Sequence, residues 1–173
     1  VLFRSNADID ESSYLEVIRC KTAKLFEAAT RLGAVLGGAT REQEEAMAAY
    51  GMHLGTAFQL VDDILDYSGN DAQTGKNVGD DLSEGKPTLP LIYTMRNGSP
   101  AQVAVVRRAI EEGGIADLAP VLAAIGESGA LDYARRQARA ESDAACAAIT
   151  GLRHSIHRES LLQLADFAVS RNH

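Results

Sequence analysis

Four polar side chains recur three and four residues apart in the otherwise apolar stretch from 51 to 67: Gln59, Asp62, Asp63 and Asp66. Residues at those intervals lie on one face of an α-helix, so the four side chains form a single polar stripe. Carboxylates that lose water and face one another are costly unless a cation compensates them. Mg²⁺ suits such oxygens, and one or two carboxylates hold it together with phosphate oxygens. The stretch therefore predicts a helix that binds Mg²⁺ through Asp62, Asp63 and Asp66.

A second interpretation of this stretch is that Arg or Lys side chains of a neighbouring helix pair with the aspartates. The DDxxD spacing by itself does not decide between the two interpretations. Gly55, Phe58 and Gln59 just before the aspartates, and a long polar segment just after them, favour the metal. That segment, from 68 to 86, has no apolar period, and loops longer than about 12–15 residues are usually functional or disordered.

The residues around the aspartates resemble a known family. LGTAFQLVDDILD (54–66) and GKNVGDDLSEGKPTLPL (75–91) are similar to the second aspartate-rich region of the trans-type polyprenyl diphosphate synthases, in particular the bacterial octaprenyl diphosphate synthases. The likeness extends upstream through VIRCKTAKLFEAATRLGAVLGG (17–38) and, more weakly, to the C-terminus. The resemblance implies an all-α fold, a helical bundle of the isoprenoid synthase type. Residues 1–173 would form the C-terminal portion of one such domain, and residues 1–6, which carry no helical period, are expected to be a disordered or non-native end.

The same resemblance assigns roles to a Lys-Thr pair. Family members place such a pair at a local break in a helix beside the reacting carbon, and Lys21 and Thr22 match it. The resemblance implies that Lys21 contacts the allylic diphosphate and that the Thr22 oxygen faces the developing positive charge. Gln59 is expected to supply a second neutral oxygen there. Taken alone, a Lys-Thr pair on an amphipathic helix is usually solvent-exposed surface.

Two lysines in the polar segment are further candidates for binding a diphosphate. A lysine on a mobile loop can close over a diphosphate and exclude water, which we expect of Lys76 and Lys86. The resemblance places Lys76 in contact with the diphosphate. It makes Asp80 and Asp81 candidates for contacting metal-bound water or for holding the loop. A solvated loop is the alternative interpretation for both lysines.

The implied reaction is the Mg²⁺-dependent condensation of isopentenyl diphosphate with an allylic diphosphate to a medium- or long-chain polyprenyl diphosphate. The implied full-length protein is a homodimer. Family members use two aspartate-rich helices, and this sequence contains only the second, so we expect the 173 residues alone to be inactive. An alternative is a non-catalytic partner subunit of a heteromeric prenyl synthase. A terpene cyclase of the same architecture is less compatible, because its second metal motif of Asn/Asp, Ser/Thr and Glu character is not what stands here.

Composition excludes several other classes of protein. The formal net charge of −7 and the lack of a Lys/Arg cluster argue against binding to nucleic acid, which depends on neutralising phosphates. No apolar run reaches the roughly 18–20 residues that span a bilayer, so we expect a cytoplasmic protein without a transmembrane segment. The 173 residues, of which 46% are hydrophobic, can bury the core of one domain. Cys20 and Cys146 are too few for a ligand set and are expected to be reduced.

Capping signals divide the chain into helices. Ser13–Glu16 predicts the start of a first helix that ends at Gly37–Gly38. Thr40–Gln43 predicts the start of the aspartate helix, which should end near Tyr67. Further helices are predicted at about 87–97, 99–113, 115–125, 128–150 and 155–170.

Overall fold

The regular structure of this chain is helical. The computed structural model describes residues 6–68, 79–113 and 118–171, and no strand occurs within those ranges. In chain order the elements are α1 (Glu11–Ile18), a π-helical segment (Arg19–Ala23), α2 (Lys24–Leu36), α3 (Arg41–Ser68), α4 (Asp80–Ser83), α5 (Leu89–Asn97), α6 (Pro100–Glu112), α7 (Leu118–Ser128), α8 (Ala130–Ala148) and α9 (Ile156–Ser170). The predicted all-α class is confirmed. The expectation for residues 1–6 lies mostly outside the described residues.

The first helix begins earlier than its predicted capping box. Asp10 caps α1, because its Oδ1 accepts hydrogen bonds from the Ser13 N–H at 2.8 Å and from the Ser12 hydroxyl at 2.9 Å. Ser13 lies inside the first turn, so its prediction as the N-cap is wrong. A carboxylate accepts strongly from orphan helix N–H groups and also interacts favourably with the helix dipole. The predicted end is confirmed, since α2 ends at Leu36 and Gly38 follows with a φ of +70°.

The 28-residue helix α3 begins where its capping box predicted. The Thr40 N–H donates to Gln43 Oε1 at 2.9 Å, and the Gln43 N–H donates to Thr40 Oγ1 at 3.3 Å. The helix ends at Ser68, directly after the predicted Tyr67. Every residue from 50 to 67 is buried or half-buried, which confirms the apolar surroundings expected for its second half.

The predicted loop from 68 to 86 contains the short helix α4. Residues 69–78 lie outside the described residues. Gly79 has a φ of +89°, a left-handed conformation that favours glycine, and α4 follows it directly. The loop prediction is wrong for residues 80–83, because Leu82 is buried in the core and fixes this turn although the surrounding sequence has no apolar period.

The boundary between α7 and α8 also differs from the prediction. The sequence suggested that Ser128 starts the later helix, but α7 continues to Ser128 and Gly129, with a φ of +75°, separates the two helices. The Ser128 hydroxyl donates back to the Ile125 carbonyl at 3.1 Å, so it ends α7. The start of α6 is confirmed, with Ser99 and Gln102 forming a reciprocal capping box.

The chain divides into two compact units. Unit 1 comprises residues 1–14, 62–135 and 172–173. Its core is built from the last part of α3, from α4 to α7 and from the start of α8. The core residues with little or no exposure include Leu82, Leu91, Val106, Ile110, Val121 and Ile125. This core holds the C-terminal part of α3 and the segment containing α4 in place.

Unit 2 comprises residues 15–61 and 136–171. Its core contains residues of α3, of α9 and of the C-terminal part of α8, including Tyr50, Leu54, Ala145 and Ala165. The Tyr50 hydroxyl donates to the Leu161 carbonyl at 2.8 Å, which satisfies the polar end of a ring that is otherwise fully buried. This unit carries the π-helical segment and the first part of α3.

Candidate functional site

Unit 1 contains an acidic cluster, which we define as Asp62, Asp63 and Asp66 on α3 together with Asp81 on α4. The backbone brings α4 to the end of α3: the Gly79 N–H donates to the Asp66 carbonyl at 3.0 Å, and the Asp81 N–H donates to Asp66 Oδ2 at 3.2 Å. A side chain at Gly79 would collide with Leu118, since an added Cβ would lie 2.6 Å from Leu118 Cδ1. The position therefore needs glycine for both its conformation and its space.

Asp63 points into the protein. Its side chain is 1% exposed. The Tyr14 hydroxyl donates to its Oδ2 at 2.6 Å, and the Lys86 ammonium donates to its Oδ1 at 3.1 Å. Both carboxylate oxygens therefore have protein donors, and the pKa of Tyr14 is raised well above its usual value by burial and by the Asp63 charge.

Lys86 lies between two carboxylates of the acidic cluster. Besides Asp63 it contacts Asp81, with 3.0 Å to Oδ1 and 3.1 Å to Oδ2. Burial alone would lower the pKa of Lys86, but the charges of Asp63 and Asp81 raise it to about 12. Lys86 is therefore positively charged at every ordinary pH.

Burial and neighbouring charges disfavour ionisation of two aspartates of the cluster. Burial, followed by the charge of Asp81, raises the pKa of Asp66 to about 7. Burial and the Asp63 charge also raise the pKa of Asp81, although Lys86 acts in the opposite direction. Such carboxylates favour a proton or an added cation.

The donor set is compatible with Mg²⁺ but not with a cage made of protein ligands alone. Within the described ranges, no three His, Cys, Asp or Glu side chains converge closely enough to hold a metal ion. Asp63 is directed at Tyr14 and Lys86, whereas Asp62 and Asp66 are half-buried. Mg²⁺ usually needs only one or two carboxylates, with water and substrate phosphates completing its shell. Asp62 and Asp66, four residues apart on one helix face, fit that requirement.

Unit 2 contains the Lys-Thr pair that the sequence singled out. Lys21 and Thr22 lie in the π-helical segment Arg19–Ala23, which confirms the local helix break implied by the family resemblance. The Thr22 hydroxyl donates to Gln59 Oε1 at 2.9 Å, so these two residues meet as neutral oxygen groups. Lys21 is exposed.

Glycines of α3 allow this close packing in unit 2. An added Cβ at Gly55 would lie 2.6 Å from Ala23 Cα, and one at Gly51 would lie 2.6 Å from the Phe26 carbonyl oxygen. Because Gly55 has no side chain, α3 can approach the π-helical segment at this point. Gly55 is one helical turn before Gln59. Close helix contact is therefore the structural reason for both glycines.

Two features of the acidic cluster gave no local signal in the sequence. Tyr14 and Asp63 are 49 residues apart, and no motif links them. The pairing of Lys86 with Asp63 and Asp81 was likewise not expected, since the sequence suggested a diphosphate contact for Lys86. Lys76 lies outside the described residues.

Comparison with known proteins decides the family. Residues 1–125 match the family model described as "Polyprenyl synthetase". The chain belongs to the polyprenyl synthetase family. Over 169 residues it is 49% identical to the octaprenyl diphosphate synthase of Escherichia coli K12, covering 97% of this chain and 52% of that protein. It is 44% identical to the all-trans-nonaprenyl-diphosphate synthase (geranyl-diphosphate specific) of Rhodobacter capsulatus, covering 95% of this chain and 50% of that protein.

Solved structures of the polyprenyl synthetase family share the fold. The polyprenyl synthase of Caulobacter crescentus CB15, complexed with calcium and isoprenyl diphosphate, matches with a TM-score of 0.93 at 42% identity, covering 99% of this chain and 53% of that one. A heptaprenyl diphosphate synthase from Staphylococcus aureus matches with a TM-score of 0.91 at 27% identity, covering 99% of this chain and 54% of that one. The predicted isoprenoid synthase architecture is confirmed. The chain spans about half the length of the relatives it matches. Within the described ranges, none of the helices has the length and apolar character of a membrane span.

Proposed function

We propose that this chain is part of a Mg²⁺-dependent prenyltransferase that condenses isopentenyl diphosphate with an allylic diphosphate, giving a medium- or long-chain polyprenyl diphosphate. The observation that carries the proposal is the acidic cluster, in which the pKa of Asp66 is raised to about 7. The relatives named above support the product class, since their names describe octaprenyl and nonaprenyl diphosphate synthases. The calcium and isoprenyl diphosphate of the Caulobacter structure support the pairing of a divalent cation with a diphosphate.

In this proposal Asp62 and Asp66 hold the metal on one face of α3. Bound Mg²⁺ would neutralise the charge that develops on the leaving diphosphate, an electrostatic contribution that is often the largest in catalysis. Lys21 and Lys76 are our candidates for contacting the allylic diphosphate directly. The role of Lys76 rests on the sequence resemblance alone.

Thr22 and Gln59 would serve the carbon side of the reaction. Ionisation of the allylic diphosphate leaves a carbocation that water would quench, so its surroundings must be apolar with only neutral oxygens near the charge. The Thr22 hydroxyl and the Gln59 amide are neutral and already hydrogen-bonded at 2.9 Å. The double bond of isopentenyl diphosphate then attacks this carbocation and forms the new carbon–carbon bond, and transfer of one proton to the departed diphosphate completes the product.

The test uses the full-length protein with labelled isopentenyl diphosphate, farnesyl diphosphate and Mg²⁺. We expect labelled polyprenyl products, resolved by chain length after dephosphorylation. Asp62→Ala should lower kcat by about 100-fold, a typical loss when one electrostatic stabiliser of a transition state is removed. Asp132→Ala is the matched control, because Asp132 is 73% exposed and pairs with Arg135 at the surface, where ion pairs contribute little.

Equal activity of the Asp62→Ala variant and the wild type would refute the proposed role of the acidic cluster. Activity that appears only after a second, different chain is added would favour the partner-subunit alternative. We further propose that the full-length protein is a cytoplasmic homodimer and that residues 1–173 alone do not turn over. Both proposals rest on the family resemblance, and light scattering of the full-length protein tests the first.

A further inference from the structure

The Lys86 ammonium lies between two protein carboxylates. An ammonium group has three N–H bonds and no acceptor. One contact goes to Asp63 Oδ1 at 3.1 Å, and two go to Asp81, at 3.0 Å and 3.1 Å. The ammonium is therefore held between one aspartate of α3 and one aspartate of α4.

We propose that Lys86 is a positioning residue, which ties Asp63 on α3 to Asp81 on α4 and so holds the Asp81 carboxylate beside Asp66, the candidate metal ligand. This inference rests on the proposed function, because it concerns the affinity of the same acidic cluster for a divalent cation. It gives Asp63 and Lys86 different roles from those the sequence suggested. Asp63 becomes the anchor for Lys86, and Lys86 acts on the metal through Asp81.

The anchor is rigid on the side of α3. Asp63 is 1% exposed, and the Tyr14 hydroxyl fixes its second oxygen at 2.6 Å. Its direction is therefore set before any metal binds, and with it the position of the Lys86 ammonium. Lys86 lies three residues after the end of α4, and its side chain is only 30% exposed, so the ammonium has little freedom to move elsewhere.

The other end of the link lies next to the candidate ligand. The Asp81 N–H donates to Asp66 Oδ2 at 3.2 Å, and Lys86 holds both oxygens of the Asp81 side chain. Without the ammonium, the Asp63 and Asp81 carboxylates would lose the cation that joins them. The Asp81 carboxylate would then turn away from its present position, which removes it as an acceptor next to Asp66. Metal affinity should fall, as it does when partners that orient metal ligands are removed.

The experiment compares Lys86→Met, Asp63→Asn and the double variant of the full-length protein. Mn²⁺ is titrated into substrate-free protein and the free ion is measured by electron paramagnetic resonance. Lys86→Met should raise the Kd for Mn²⁺ by about 10-fold or more, within the range known for residues that orient metal ligands. The double variant should be no worse than the more damaging single variant, because both residues act through one link. The KM for the allylic diphosphate at saturating Mg²⁺ should stay within about twofold of wild type, because the proposed role leaves the contacts between the protein and that substrate unchanged.

Two further variants separate this role from a general folding defect. Lys86→Arg keeps the positive charge, and a guanidinium can also join two carboxylates, so this variant should bind Mn²⁺ more tightly than Lys86→Met. Lys24→Met is the matched control, because Lys24 is an exposed lysine that pairs with Glu27 at 2.7 Å, and its Mn²⁺ affinity should equal that of the wild type. Thermal unfolding of each variant checks that it is folded at the temperature of the titration.

Several results would overturn the inference. A large rise in KM for the allylic diphosphate with unchanged Mn²⁺ affinity would make Lys86 a diphosphate ligand. Loss of folded protein with unchanged Mn²⁺ affinity per folded molecule would make its role structural only. If the wild type binds Mn²⁺ but does not incorporate isopentenyl diphosphate, the proposed function fails while the Mn²⁺ titrations still decide the role of Lys86.

Discussion

The contact of Gly55 with the π-helical segment makes a quantitative prediction about stability. An added Cβ at this position would lie 2.6 Å from Ala23 Cα and 3.0 Å from Phe26 Cβ. Ordinary contacts of this kind begin near 3.4 Å. The atom at 2.6 Å belongs to the backbone, so it cannot move aside as a flexible side chain would. Gly55→Ala must therefore push α3 and the π-helical segment apart.

The size of the effect follows from two opposing contributions. Overpacking a well-packed site typically costs about 1–3 kcal/mol, and we take the upper end because the clash is with backbone. Replacing glycine by alanine within a helix stabilises the helix by about 1 kcal/mol. We therefore expect Gly55→Ala to lower the free energy of unfolding by about 2 kcal/mol, or about 4–8 °C in Tm for a chain of this size.

Gly33→Ala is the matched control in the same unit. Gly33 lies within α2, and an added Cβ would meet nothing within 4 Å. This variant should gain stability by about 0.5–1 kcal/mol from helix propensity alone. The difference between the two variants, about 3 kcal/mol, isolates the steric cost at Gly55.

The assay is unfolding by heat and by urea, followed by circular dichroism for both variants and the wild type. Because Gly55 is one turn before Gln59, we also expect the Thr22–Gln59 hydrogen bond of 2.9 Å to lengthen and activity to fall. If Gly55→Ala is as stable as Gly33→Ala, the close approach of α3 to the π-helical segment does not exist in solution and the reasoning fails.

Two further predictions concern the candidate site. Asp66→Asn should stabilise the metal-free protein at pH 8 by about 1–2 kcal/mol after allowance for partial exposure. The Asp66 pKa of about 7 exceeds its unfolded value near 3.9, so folding disfavours the ionised carboxylate, which Asn removes. The free-energy penalty for ionised Asp66 grows as pH rises between those two pKa values, so urea unfolding should show a smaller gain in stability at pH 5 than at pH 8. An equal gain at both pH values would contradict the assignment. Thr22→Val should lower kcat with a stability loss of only about 1 kcal/mol for the lost hydrogen bond to Gln59, whereas Thr22→Ser should retain activity. Parallel steady-state kinetics and thermal melts check this, and a Thr22→Val variant as active as wild type would exclude the proposed contact with the reacting carbon.

The parts of this structure that the sequence predicted are those fixed by local interactions. The start of α3 depends on Thr40 and Gln43, which are three residues apart and bond each other. The buried second half of α3 follows from its apolar composition at helical spacing. Local periodicity carries both features, so they could be predicted without knowledge of the tertiary structure.

The parts that the sequence missed depend on distant partners. Helical spacing grouped Asp63 with Asp62 and Asp66 on one polar stripe. Its environment is determined instead by Tyr14 and Lys86, which are 49 and 23 residues away. The helix break at 19–23 contains neither Pro nor Gly, so only the family resemblance indicated it. Such features depend on tertiary packing, which helical spacing does not encode.

The π-helical segment has a consequence for how this sequence can change. Its turn is closed by the Lys24 N–H donating to the Arg19 carbonyl, which encloses one residue more than an α-helical turn. π-turns are rare and occur mainly at functional positions. Deleting a single codon between 19 and 23 would restore a continuous α-helix and would remove the Thr22–Gln59 pairing.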